Sequence, residues 1–405
     1  MKRENLIKKN YIQKEYIDRT LLKKFSNNFK KIEKKTILEI EDSKKTLNIL
    51  SKKYKFNFKI KDLNKFKKYK SIAIIGMGGS ILGTESIYNF LDYKIRKKMF
   101  FFNNLDSKTI SFFKKKEKIK NVLFIIVSKS GNTIETLSNF LTLEIINKNA
   151  KNIIIITEKK LSPLYQIAKK YNLFYVAHKK TVGGRYSILT EVGIIPAYLM
   201  GLNIVRLRKK ISNCLNRKNK IFLKDSVVKL ASLIKRKKLK SLVFLNYSPE
   251  LEKFLFWCQQ LIAESLGKKN NGFLPVVSPA PKDHHSMLQL YLDGPKDKLF
   301  YIFSDENKSK KKFYVKKVLD NKNYYDHKSL DEIKKAQKNS LIQAFKNKRI
   351  PYREFTIKEF SEEVLGELFS IFILETIIIG NLLKLNPYDQ PAVEQVKIST
   401  KKLLS

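Results

Sequence analysis

NVLFIIVSKSGNTIET, residues 121–136, decides the fold. The run 122–127 is apolar and rich in Val, Ile and Phe, the composition of a strand buried on both faces of a parallel sheet. Ser128 ends it, and Lys129, Ser130, Gly131, Asn132 and Thr133 lead into a helical pattern with Ile134, Leu137, Phe140 and Leu141 on one face. Hydroxyls, a flexible glycine and free backbone N–H groups converge there at a helix N-terminus, where the helix dipole favours a phosphoryl group. The plain alternative is that Ser and Thr only cap the helix.

A second turn of this kind lies upstream. The apolar stretch 71–75 runs into Gly76, Met77, Gly78, Gly79, Ser80, Ile81, Leu82 and Gly83. It lacks the Lys-Ser/Thr ending of a P-loop and the glycine spacing of a dinucleotide fingerprint. Two strand-to-helix turns can nevertheless line one crevice at the carboxyl edge of a doubly wound sheet.

Outward from these turns the rhythm is that of an α/β protein. Short apolar strands are predicted at 71–75, 99–102, 122–127, 153–156 and 174–177, then at 241–245, 274–277, 299–303 and 353–357, with helical segments between them. The predicted organisation is a lead-in with helical stretches over 1–60, one α/β unit over 61–205, a second over 206–360, and a C-terminal helical segment over 361–405. The 405 residues suffice for such units, each with its own core. A crevice between the two is the expected ligand site.

Charge is the unusual feature: 83 Lys and Arg against 37 Asp and Glu give a net +46. The lysines are spread along the chain, with an excess of Ile and Asn and few Ala, the signature of an AT-rich genome. A nucleic-acid binder would cluster them, so no specific nucleic-acid partner is expected. Cys214 and Cys258 have no paired spacing, which indicates neither a zinc site nor a disulfide framework and fits a reducing cytoplasm. The N-terminus has no apolar signal-peptide core. The run 368–385 is interrupted by Glu375, Gly380 and Asn381, so it reads as a buried helix and not a membrane span.

Three further stretches carry ionisable groups. Glu264 shares a helix face with Trp257 and Leu261, where desolvation favours a stronger base; a salt bridge to Lys268 is the plainer reading. His284 and His285 sit in a polar loop ahead of an apolar helix, without the carboxylate and histidine spacing of a metal site, which suits a proton-shuttling imidazole. Gln390, Glu394 and Lys397 would lie on one side of a C-terminal helix.

Together these stretches resemble the glucose-6-phosphate isomerase family, built from two sugar-isomerase (SIS) domains. IGMGGSILG (75–83) resembles the family's IGIGGS-x-LG, and SKSGNTIET (128–136) its SK-T/S-x-x-T-x-ET. GGRYSILTEVGIIPA (183–197), QLIAESLGK (260–268), DHHSMLQLYLDGP (283–295) and DQPAVEQVK (389–397) are similar to further family motifs, in the family's order. His284 stands where the family commonly has Gln, Met77 replaces Ile, Thr84 replaces a frequent Pro, and Gln395 and Val396 replace Leu-Gly.

The resemblance implies a cofactor-independent aldose-ketose isomerase of glycolysis and gluconeogenesis, cytoplasmic and homodimeric, acting on a hexose 6-phosphate through an enediolate. It implies Glu264 as the proton-shuttling base, His285 as the ring-opening group, Lys397 at the ring oxygen and Arg185 beside the enediolate. Ser128, Lys129, Ser130, Thr133 and Thr136 would hold the phosphate, and Gly79, Ser80 and Gln390 would line the sugar. The rival is a sensor of the same fold that binds a sugar phosphate without reacting; a sensor needs only the phosphate loop.

Overall fold

The structure, a computed structural model, describes residues 4–146, 150–306, 311–321 and 323–404. Its ten strands are β1 (Leu6–Tyr11), β2 (Ser71–Gly76), β3 (Lys98–Phe102), β4 (Val122–Val127), β5 (Ile153–Thr157), β6 (Phe174–Ala177), β7 (Ser241–Asn246), β8 (Leu274–Pro279), β9 (Lys298–Asp305) and β10 (Tyr352–Ile357). They form two five-stranded sheets, ordered β3-β2-β4-β5-β6 and β8-β7-β9-β10-β1. Every pairing is parallel except β1 with β10. The α/β architecture with doubly wound parallel sheets is therefore present, and the nine strands read from the sequence form within two residues of their expected ends.

The two sheets share one plan. In the first, the chain goes from β2 outward to β3, crosses back to β4, and continues through β5 to β6, so the winding direction reverses between β2 and β4. In the second, β7, β8, β9 and β10 repeat that order, and the fifth place is filled by β1 from the N-terminus. The lead-in thus begins with a strand that the sequence pattern did not suggest. Its helix Arg19–Glu41 buries Phe25, Phe29 and Ile40, so this segment is packed and not merely solvated.

β4 is buried at all six residues, as its unbroken apolar run requires. The helix Glu362–Leu382 lies between layers with nearly all of its residues buried, packed against helices Arg19–Glu41, Arg217–Arg236 and Glu252–Leu266. Among the described residues no helix is long and apolar enough to cross a membrane. The largest apolar cluster runs through this helix and joins Ile188 and Leu189, which follow the first sheet in sequence, to Trp257, Phe254 and Phe369.

Candidate active site

Gly76 of β2 lies opposite Val127 of β4, so the turns that leave these strands are neighbours at the point where the winding reverses. Gly78 takes φ +52, which its lack of a Cβ permits. A Cβ on Gly79 would stand 2.2 Å from the Gly184 carbonyl carbon and 2.4 Å from the Arg185 nitrogen, so only glycine lets the two segments touch. Ser80, half-buried, closes this turn.

In the second turn the Ser128 and Thr133 hydroxyls are 2.9 Å apart, and Ser128 Oγ accepts from the Gly131 N–H at 3.1 Å. Ser130 Oγ accepts from the Asn132 N–H at 3.2 Å. Thr133 occupies the N-cap of helix Ile134–Thr142, yet its side chain makes no capping bond. The simple capping explanation therefore fails, and the first-turn N–H groups are left for another acceptor. Thr136 is wholly buried beneath, with no partner for its Oγ1 among the described residues.

Helix Glu252–Leu266 of the second unit brings the carboxylate. Trp257 and Leu261 are buried, as their shared face predicts. Glu264 sits at the rim with its side chain 33% exposed, so it is not desolvated against them. Its Oε2 accepts from Arg185 Nη1 at 3.0 Å and its Oε1 from Gln260 Nε2 at 2.9 Å. The plainer reading, a salt bridge to Lys268, does not hold: Lys268 pairs with Asp389 at 2.6 Å.

Arg185 is the hub. Its side chain is 2% exposed and uses every donor: Nε to Ser265 Oγ (2.8 Å), Nη1 to Glu264 and to Gln390 Oε1 (2.8 Å), and Nη2 to the carbonyls of Pro387 (2.7 Å) and Asp389 (3.0 Å). Tyr186 Oη reaches Ser265 Oγ at 2.8 Å and the Pro387 carbonyl at 2.7 Å. Trp257 Nε1 donates to the Arg185 carbonyl at 3.1 Å. Ser265, Tyr186, Gln260 and the 387–389 carbonyls were not singled out from the sequence. No periodicity marks them, because each matters through a fold contact.

Glu264, Arg185, Gln390 and Gly79 thus meet, although they come from four separate stretches. His285 and Lys397 are not part of this network. His285 is exposed, and its imidazole makes no hydrogen bond among the described residues. Its neighbour His284 lies 2.7 Å from Tyr247 Oη, and burial, then the proximity of His285, pushes the His284 pKa below its ordinary value. Gln390, Glu394 and Lys397 do not share a helix face. The helix is Ala392–Leu404, so Gln390 precedes it and turns to Arg185, while Lys397 pairs with Glu394 at 2.7 Å, well exposed. Among the described residues no group of three or more His, Cys, Asp or Glu side chains could hold a metal ion.

The fold places the chain in a class, that of α/β proteins built from two parallel sheets of sugar-isomerase type. Solved structures share this fold. A hypothetical protein from Thermus thermophilus superposes with TM-score 0.82 at 23% identity, over 95% of this chain and 97% of that one. A glucose-6-phosphate isomerase from Chlamydia trachomatis does so with TM-score 0.79 at 16% identity, over 99% and 89%. The family model for phosphoglucose isomerase matches residues 33–405, and the chain belongs to that family. A relative from Methanocaldococcus jannaschii named glucose-6-phosphate isomerase is 33% identical over 83% of this chain and 85% of its own length. One from Campylobacter jejuni bearing the same name is 30% identical over 84% and 86%.

Proposed function

We propose that this protein interconverts glucose 6-phosphate and fructose 6-phosphate by moving a proton between C2 and C1 of the open-chain sugar. The observation that carries the reading is the Glu264 carboxylate, fixed on one oxygen by buried Arg185 and on the other by Gln260, yet a third open to solvent. Glu264 takes the C2 proton and returns it to C1, so the enediolate forms and decays without any redox partner. Arg185 sets the carboxylate's direction and balances charge that develops on the enediolate oxygens. The phosphate, bound at the uncapped helix start, fixes C2 against Glu264 at a distance from the reacting carbons. Ser128, Ser130 and Thr133 supply hydroxyls there, with Lys129 beside them; Thr136 stands behind as support.

A homodimer completes the site in this reading. Helix Ala392–Leu404 buries no residue and leaves Val393, Val396, Ile398, Leu403 and Leu404 exposed. Thirteen residues are too few for a stable helix without packing, which supports a second copy as its cover. His285 and Lys397, unplaced within one chain, then serve a site shared between copies, with His285 opening the ring and Lys397 at the ring oxygen. Both cysteines are free and buried, which supports a reducing cytoplasm.

The test of the reaction is direct. Pure protein incubated with glucose 6-phosphate, with no metal or nucleotide added, should produce fructose 6-phosphate; tight binding without turnover would instead make the protein a sensor. For the dimer, inactive His285→Ala and Glu264→Gln subunits should regain activity when mixed. No recovery after confirmed subunit exchange would mean that each site is built from one chain.

A further inference from the structure

Beside the phosphate loop runs the turn that leaves β5, and the two are locked together. The Glu158 N–H donates to the Lys129 carbonyl at 3.2 Å, and the Leu164 N–H to the Gly131 carbonyl at 3.2 Å. Gly131 adopts φ +69, and a Cβ there would stand 2.2 Å from Ser162 Oγ. Ser162 is 3% exposed and its Oγ has no partner among the described residues, like Thr136 Oγ1 across the loop. Beside the two turns therefore lie two buried hydroxyls with no hydrogen-bond partner among the described residues.

Charge at this edge is arranged around one carboxylate. Glu158 is 8% exposed, with Oε1 3.6 Å from Lys129 Nζ and Oε2 3.0 Å from Lys160 Nζ. Buried His178 lies near enough to feel both Lys129 and Glu158; burial pushes its pKa down to about 4, so at neutral pH it adds no charge. Burial also pushes the Lys129 pKa down, Glu158 opposes this, and Lys160 and Arg185 push it further down, which puts the cluster within electrostatic reach of the Arg185 hub. Lys129 and Glu158 alone would form a neutral pair with little attraction for an anion. Lys160 restores a net positive charge, and its side chain remains 47% exposed.

Resting on the reading of residues 128–136 as the phosphate loop, we propose that Lys160 is a second cation of the phosphate site and that Glu158 is the positioning residue that holds Lys129 and Lys160 beside it. Glu158 divides its two oxygens between the lysines, so neither is neutralised in full and both keep N–H donors for a phosphate. The cluster favours the dianion over the monoanion, because each added ligand charge meets a net positive field.

The test uses full-length protein with Lys160→Met, Glu158→Gln and, as a control of equal charge change, Lys159→Met. Inorganic phosphate binding is measured by calorimetry, and KM and kcat with glucose 6-phosphate. Lys160→Met should weaken phosphate binding and raise KM about three- to ten-fold, the size of one partly exposed charge-assisted contact, with kcat within about two-fold. Glu158→Gln should weaken both as well, although it makes the site more positive. Between pH 5.5 and 7.5 the gain in affinity as phosphate loses its second proton, near pH 6, should be smaller in Lys160→Met than in wild type. Equal effects of Lys159→Met and Lys160→Met, or none from Lys160→Met, would overturn the proposal. Wild-type protein that binds phosphate in a Lys160-dependent way without turning over sugar would retire the isomerase reading and leave this one standing.

Discussion

Arg185 and Arg353 are both buried beside a glutamate, and both spend all five guanidinium donors. Arg353, on β10, grips Glu375 through two bonds of 2.7 and 2.8 Å and completes its shell with Tyr301 Oη, Ser226 Oγ and Asn10 Oδ1. That pair is sealed, at 0% and 5% side-chain exposure. Arg185 gives Glu264 only one bond, and the carboxylate stays a third exposed. The difference separates a scaffold pair from the proposed site. A bidentate, enclosed carboxylate has nothing left to react with, whereas a carboxylate held by one bond on each oxygen and open to solvent keeps lone pairs free for a substrate proton.

Exchanging the glutamates one at a time should divide the two roles. Glu264→Gln keeps the shape and removes the base, so turnover should fall by about 10²–10⁴, with loss of C2 proton exchange into solvent and an unfolding midpoint close to wild type. A large drop in stability would make Arg185 a second scaffold arginine. Glu375→Gln leaves a buried guanidinium without its counter-charge and should cost about 3–5 kcal/mol in urea unfolding. Activity per folded molecule should survive; its selective loss would tie the sealed pair to catalysis. Tyr301→Phe removes one partner of the buried, charged Arg353 guanidinium and should cost about 1.5–3 kcal/mol, without effect on KM. A shift in KM would mean that the sealed network reaches the substrate.

The same contrast explains what could be read from residues alone. β4 and β5 are apolar at nearly every position because both faces are covered, so their strands and the turns after them stand out. β1, LIKKNY, does not, because its polar residues serve the fold: Asn10 accepts from Arg353, and half-buried Lys8 lies 3.9 Å from Glu367. An edge strand whose polar groups pair across layers has no alternation to detect. At the site, the helix face that carries Trp257 and Leu261 was legible, but the placing of Glu264 at its rim depends on where Arg185 arrives from another unit. Glu158 and Lys160 escaped notice for a like reason, since two lysines and one acid in a lysine-rich chain carry no local signal.

β1 also bears on how the chain is made. Leu6 stands opposite Ile357 and Tyr11 opposite Tyr352, so β1, made before the other described strands, finds its place only after all of them have followed. The first sheet, whose strands lie between Ser71 and Ala177, can assemble while synthesis continues. The second stays two strands short, lacking both β10 and the β1 that pairs with it, until β10 is translated, a closure of long sequence separation and slow formation. During that interval the open edge of β9 is the unprotected seam, and β1, with its two lysines, waits for β10 to arrive before it can pair.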